Sequence, residues 1–82
     1  MIRIEWTEQA KADIRKLDKP TAIRVLHALH RFAEFGVGDL KALQGDMEEL
    51  RLRIADYRLF FVYTSNEVIE VRRVRHRRDA YR

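Results

Sequence analysis

The hydrophobic pattern at the start of the chain changes from strand-like to helical. Residues 2–6 alternate apolar and charged side chains, which predicts a β-strand. Thr7 suits the N-cap of a first helix, whose apolar residues recur at helical spacing and which should stop near Asp18. Pro20 fits the first turn of a second helix, because its missing N–H needs no partner there. Together these features predict a helical hairpin after an opening strand.

The second predicted helix runs to about Phe35 and has a wide apolar face. Such a width indicates packing against both a sheet and the first helix. Gly36 is the expected C-terminal stop. The segment Leu40–Gly45 follows in the connection, which we expect to be irregular or to form one short turn.

From residue 48 onward the apolar period becomes two, which predicts three successive strands. Leu and Ile alternate with Arg over 50–54, and Ala55-Asp56 is a two-residue turn candidate without the glycine that tight hairpins favour. Tyr57 to Thr64 is rich in aromatic and β-branched residues, so we expect a central strand covered on both faces. A turn at 65–66 leads to a last strand over 68–74.

The element order is therefore β-α-α-β-β-β, in one domain over residues 1–82. We expect an α+β fold in which a helical hairpin packs on one face of an antiparallel sheet. Leu52 should face this core, so its neighbour Arg51 must point the other way. The second sheet face is thus predicted to carry arginines.

Composition excludes several classes of protein. The chain has no cysteine, so it has no disulfides and no thiolate metal sites, which suits a reducing cytoplasm. It opens without a continuous apolar signal region, and its longest apolar run, 59–63, is too short to span a bilayer. His27, His30 and Glu34 lie at helical spacings, but without a further ligand they do not predict a metal site. We expect a soluble cytoplasmic protein that needs no metal and no cofactor.

The charge is concentrated in the second part of the chain. Residues 1–50 hold eight Lys or Arg and nine Asp or Glu, whereas residues 51–82 hold nine Arg and four acids. Arginine presents a planar, permanently charged fork that suits phosphate. For any single arginine a solvated surface role is the simpler interpretation, but the acids are too few to neutralise the set. The pattern favours a polyanionic partner.

The basic residues fall into two motifs that are expected to lie close together. Leu50–Arg58 has the pattern Leu-Arg-Leu-Arg-x-x-x-Tyr-Arg, and His76–Tyr81 has the pattern His-Arg-x-x-x-Tyr. The first motif spans adjacent strands around one turn, and the last strand can bring the second to the same surface. Phe60 and Phe61 lie between the motifs and are more typical of core packing than of base stacking.

In this order and at this spacing, the motifs resemble those of the RelE/ParE superfamily of toxins, and of its RelE branch in particular. The likeness covers nearly the whole chain and includes the Leu-x-x-Leu-x-Gly stretch over 40–45. It implies a RelE-like fold and the toxin of a type II toxin–antitoxin system. Such a toxin would cleave messenger RNA in the ribosomal A site without a metal, with the substrate's own 2′-hydroxyl as nucleophile.

This reaction needs a base, cations that stabilise the phosphorane, and an acid for the leaving oxygen. By resemblance, Arg51 and Arg58 match positions that contact the scissile phosphate, and Arg77 matches the basic residue of the terminal motif. Tyr81 matches a tyrosine that stacks on a base or assists proton transfer. The remaining arginines expected to bind RNA are Arg53, Arg75 and Arg78.

The general base is left open by a departure from the family pattern. Many relatives have lysine two residues before the position of Arg51, where this chain has Glu49. Glu49 is a candidate base, as is His76, whose type titrates near neutrality. Glu49 could equally be an inert surface residue.

Two other functions remain open at this point. One is a ParE-like toxin that inhibits DNA gyrase without chemistry, and the other is a nucleic-acid-binding module that neither cleaves nor stops growth. Both toxin hypotheses imply a cognate antitoxin. An acidic antitoxin segment that folds on binding would suit the net charge of +4, and we expect it to cover the helical hairpin and the arginines.

Overall fold

The computed structural model describes residues 2–42 and 49–79. Its helices and strands, in chain order, are β1 (Arg3–Trp6), α1 (Glu8–Arg15), α2 (Lys19–Phe35), β2 (Asp39–Ala42), β3 (Leu50–Ile54), β4 (Tyr57–Ser65) and β5 (Val68–His76).

The five described strands form one sheet in the order β1-β5-β4-β3-β2. Pairs β2–β3, β3–β4 and β4–β5 are antiparallel, whereas β1 is parallel to β5. The predicted α+β fold is confirmed, and the one departure from its antiparallel sheet is β1, which makes the sheet mixed. The long connection between β1 and β5 permits either direction, so the sequence pattern of β1 carried no information on it.

The segment that we expected to be irregular begins as strand β2. Leu40 lies opposite Leu52 of β3, and Asp39 lies opposite Arg53. Four residues are too few to show a period of two, and the pairing is fixed by β3, which is distant in sequence. The rest of the Leu-x-x-Leu-x-Gly stretch, residues 43–45, lies outside the described residues.

Helix α1 begins at the predicted cap, Thr7, and Pro20 lies in the first turn of α2 as predicted. The Thr7 hydroxyl accepts a hydrogen bond from the backbone N–H of Ala10, and Asp18 caps α2. The first helix stops at Arg15, earlier than expected, because Asp18 must be extended (φ −62°, ψ 155°) to cap α2. Gly36 ends α2 in the left-handed region, with φ 69°.

The predicted β3–β4 turn at Ala55 and Asp56 is confirmed. Ala55 takes the left-handed conformation, with φ 52°, that such turns normally give to glycine. Strand β5 extends to His76, two residues further than predicted. A β-bulge at Arg72 keeps both Val71 and Val74 facing the helices, since Phe61 pairs with Val71 and Phe60 with Arg73.

The core lies between the helices and one face of the sheet. Its largest buried members come from α2 and from strands β3, β4 and β5. The ring centroids of Phe32 and Phe61 are 5.3 Å apart. Strand β4 is buried from Arg58 to Val62, as predicted for a central strand. The described fully buried large side chains are Val25, Leu29, Leu52, Leu59, Phe60, Phe61, Ile69 and Val71.

Helix α1 covers the part of β5 that β1 is too short to reach. The Thr7 hydroxyl donates to the carbonyl of Arg72 (3.1 Å), and an Asp13 carboxylate oxygen accepts from the N–H of Val74 (2.9 Å). Side-chain groups thus replace the missing strand neighbour. This arrangement fixes the end of β5, from which the terminal basic motif departs.

Candidate functional site

The sheet face turned away from the helices carries an array of arginines, which we call the arginine face. Two rows of directly paired residues cross strands β3, β4 and β5. Paired side chains lie about 5 Å apart, and the rows are separated by about 7 Å along the strands. Five of these six positions are arginine. The rows are Arg51–Phe60–Arg73 and Arg53–Arg58–Arg75.

Arg58 is the most buried arginine of the face, with 9% of the residue exposed. Its guanidinium Nη1 donates to the carbonyls of Ala55 (3.1 Å) and Tyr57 (2.9 Å), both at the β3–β4 turn. A buried cation held by backbone oxygens is fixed in position before any ligand arrives. Arg58 is therefore a preorganised charge at the end of the hairpin.

Arg53 and Arg77 lie around the same turn and are exposed. Arg53 Nε is 3.9 Å from an Asp39 carboxylate oxygen, and Arg77 Nε is 3.8 Å from one of Asp56. The backbone N–H of Arg77 also donates to the carbonyl of Asp56 (2.7 Å). The terminal motif is thus brought to the hairpin end of the arginine face, as its order in the sequence suggested.

A second cluster occupies the other row and includes a residue that our sequence prediction missed. The Arg73 guanidinium carbon lies 4.1 Å from the centroid of the buried Phe60 ring, and Arg73 Nη2 is 3.3 Å from Glu49 Oε1. The signal was that Val71 and Val74 are three positions apart, which breaks the two-residue period of a strand. That spacing marks the bulge that turns Arg73 onto this face.

Arg75 is held at the edge of the face by α1. Its guanidinium pairs with the Asp13 carboxylate, which is buried at 5% residue exposure. Gln9 donates to the other oxygen of this carboxylate (2.8 Å). Arg75 is thereby tied to the helix layer, although its register places it beside Arg58.

His76 lies on the opposite side of the sheet from the arginine face. It pairs with Tyr57, and the two rings meet edge-on with centroids 5.3 Å apart. Both residues line a cleft of about 480 Å³ between α1 and the end of β5, together with Asp13 and Lys16. His76 Nδ1 accepts from the backbone N–H of Arg78 (3.2 Å), so a neutral ring carries its proton on Nε2. The structure therefore does not bring His76 together with Arg51, contrary to the expected common surface.

The last predicted residues lie at or beyond the end of the described chain. Arg78 is exposed in the turn after β5. Tyr81 is outside the described residues, so its contribution to the site stays a prediction. Within residues 2–42 and 49–79, no three His, Asp or Glu side chains are grouped to hold a metal ion. None of the helices in those ranges is long and apolar enough to cross a membrane.

The arginine face can bind phosphate through charged, paired donors. Guanidinium groups match phosphate oxygens two at a time, and Arg58 is fixed in advance. The fold therefore presents a small basic domain whose sheet face suits a polyanionic ligand.

The model of the family described as "ParE toxin of type II toxin-antitoxin system, parDE" matches residues 4–81. The chain belongs to this family of toxins of type II toxin–antitoxin systems. The assignment to the RelE/ParE superfamily from the sequence motifs is thereby confirmed. A search of curated protein sequences finds no match.

Solved structures of similar fold come from archaea and bacteria. The RelE–RelB complex of Pyrococcus horikoshii has a chain with a TM-score of 0.76 and 24% identity, covering 96% of this chain and 98% of that one. A chain of the RelB–RelE complex of Methanococcus jannaschii has a TM-score of 0.76 and 18% identity, and the match covers 94% of each chain. YafQ of Escherichia coli has a TM-score of 0.76 and 12% identity, and the match covers the whole of both chains. At these identities the likeness establishes the shared fold.

Proposed function

We propose that this toxin is a messenger-RNA endoribonuclease that acts on the ribosome and uses the arginine face as its substrate site. The substrate's 2′-hydroxyl attacks the adjacent phosphate, and the 5′-oxygen leaves. The observation that carries the proposal is the row Arg53–Arg58–Arg75 beside Arg51, with Arg77 at the hairpin end. Preorganised cations of this kind stabilise the charge that develops on the phosphorane.

Of the two predicted bases, Glu49 is the better placed. It belongs to the arginine face through its ion pair with Arg73, whereas His76 lines the cleft on the helix side. A general base must come within hydrogen-bond reach of the hydroxyl that it deprotonates. Glu49→Gln should therefore lower the cleavage rate by about 100-fold or more, whereas His76→Gln should leave most of it.

A second function, inhibition of DNA gyrase without nuclease activity, is favoured by the match to the ParE family model. It requires binding but no transition-state stabilisation. Replacement of the arginines and Tyr81 would then leave toxicity largely intact. The nuclease is the stronger proposal because the arginines are grouped in rows on one face and Arg58 is held by backbone oxygens, as phosphate chemistry needs.

We further propose that a cognate antitoxin covers the helical hairpin and the arginine face. Ile23 and Phe35 of α2 are 55% and 67% exposed, and a groove of about 280 Å³ between β1 and α2 is lined by Ile2, Ile4 and Ala33 among others. These apolar positions would be buried by a partner, and acidic residues would pair with the arginines. Protection mapped by hydrogen exchange that avoids both surfaces would contradict this partner model.

In vitro translation with purified toxin, followed by primer extension on the message, tests the nuclease. Wild type should give discrete cuts that require ribosomes, and Arg77→Ala/Tyr81→Ala should abolish them. Arg31→Ala is the matched control, since it removes an exposed charge from α2. Unimpaired translation with intact message would reject the nuclease, and a gyrase supercoiling assay would then test the second function.

A further inference from the structure

The row Arg51–Phe60–Arg73 differs chemically from the row of three arginines beside it. Its centre is an aromatic ring with no exposed surface, over which the Arg73 guanidinium lies at 4.1 Å. The Arg73 side chain remains 35% exposed above this ring. The Arg73 guanidinium therefore lies between the Phe60 ring and the solvent.

Two of the three guanidinium nitrogens of Arg73 are poorly available to a phosphate. Nη2 is engaged by Glu49 at 3.3 Å, and Nε is buried beneath the surface. The Glu49–Arg73 pair is also neutral as a unit, so it attracts a phosphate less than Arg58 does, whose Nη1 is held by backbone carbonyls. What it does present is a flat cationic surface, and planar guanidinium groups are stacking partners for nucleobases.

We propose that Arg73, stacked on Phe60 and anchored by Glu49, is a nucleobase-stacking position of the RNA site. The inference rests on the proposed function, because it takes single-stranded RNA as the ligand. Arg73 contacts the base of a nucleotide whose neighbouring phosphate lies on the row Arg53–Arg58–Arg75. Phe60 is a positioning residue, since it acts through Arg73, whereas Glu49 anchors Arg73 in addition to its proposed role as the base.

The spacing of the two rows agrees with this division of roles. Residues two apart on a strand are separated by about 7 Å. A nucleotide's base lies at a comparable distance from its flanking phosphate. Arg58 and Arg73 are diagonal neighbours on adjacent strands, about 7–8 Å apart. A single nucleotide step can therefore place its phosphate on Arg58 and its base on the Glu49–Arg73 pair.

The test uses 2′-O-methyl RNA hexamers, which cannot be cleaved through the 2′-oxygen. A second set of the same hexamers lacks one base each, at a different position in each member. Binding is measured at low salt for wild type, Arg73→Ala, Arg73→Lys and the control Arg31→Ala. Base–aromatic or base–guanidinium stacking typically contributes enough that its loss weakens binding about tenfold. Lysine keeps the charge but has no flat face, so Arg73→Lys should lose nearly as much as Arg73→Ala.

The decisive result is the combination of the two changes. At one position of the hexamer, removal of the base should weaken RNA binding by wild type about tenfold. The same removal should weaken binding by Arg73→Ala less than about twofold, because that variant has already lost the stacking partner. Thermal melting of each variant verifies that it is folded. Equal losses in wild type and Arg73→Ala at every abasic position would overturn the inference.

A ribosome-based readout separates this inference from the proposed function. In the translation assay, Arg73→Ala should change the base distribution at one position beside the cut, while Arg31→Ala leaves it unchanged. If Arg73→Ala cleaved the message as fast as wild type and with the same base distribution beside the cut, the stacking role would be overturned. The proposed nuclease activity would be unaffected by that result. If the hexamers showed the expected loss of binding at one abasic position but the toxin did not cleave the message, the proposed nuclease activity would be rejected and the stacking role would stand.

Discussion

Asp13 is the buried carboxylate that joins helix α1 to the end of β5, and its removal should destabilise the fold. Its side chain is 4% exposed, and it accepts hydrogen bonds from the N–H of Val74, the guanidinium of Arg75 and the amide of Gln9. Asp13→Ala leaves the Val74 N–H buried without an acceptor, which costs about 1–3 kcal/mol. Arg75 loses its carboxylate, but its side chain is 31% exposed, so water offsets part of that loss.

We therefore expect Asp13→Ala to lower the free energy of unfolding by about 2–4 kcal/mol. In a domain of this size such a loss lowers Tm on the order of 10–20 °C. Urea unfolding followed by the fluorescence of Trp6, which is the single tryptophan and packs against the core, measures the change. Asp13→Asn keeps one acceptor oxygen and should lose about half as much.

Asp39→Ala is the matched control for this prediction. Its carboxylate lies 3.9 Å from Arg53 Nε, and both side chains are more than half exposed. An exposed pair of this kind contributes about 0–1 kcal/mol. If Asp13→Ala and Asp39→Ala changed the free energy of unfolding equally, the view of Asp13 as the clamp on β5 would be refuted.

Three further predictions concern single positions. Ala55→Gly should raise the free energy of unfolding by up to about 1 kcal/mol, because glycine accepts φ 52° without the strain that alanine bears; a lower urea midpoint would contradict it. Gly38→Ala should cost about 1–3 kcal/mol, since its Cβ would lie 2.7 Å from Leu52 Cδ1 in the packed core, and unchanged urea unfolding would exclude this contact. The hydrogen bond from the Thr21 hydroxyl lowers the pKa of Asp18 below 3.8. Its capping contribution is therefore present at neutral pH and lost as the pH falls through that lowered pKa, so the Tm difference between wild type and Asp18→Ala should shrink only in acid.

Local patterns in the sequence predicted the helices and the arginine strands well. Thr7 caps α1 and Pro20 opens α2 where expected, and the alternation around Leu52 correctly separated core from arginine face. These features depend on neighbours within a few residues. The superfamily was likewise recognisable, because its motifs are stretches of sequence rather than distant contacts.

Predictions that depended on pairing between distant segments were incomplete. Strand β2 exists because β3 lies beside it, and the direction of β1 is set by its contact with β5. His76 was expected near the arginines, but continued strand alternation turns it towards α1. Arg73 was overlooked because a bulge, visible only as an irregular spacing of valines, reverses the face on which it lies.

The sequence by itself determined the fold class, the helix boundaries to within a few residues, the basic character of the second half and the toxin superfamily. These follow from periodicity, capping and composition, which act along the chain. Only the tertiary structure decided which arginines form rows, that Asp13 holds Arg75, and that Arg73 lies on Phe60 beside Glu49. Register between strands and the packing of α1 against β5 create those contacts, and both join residues that are distant in the sequence.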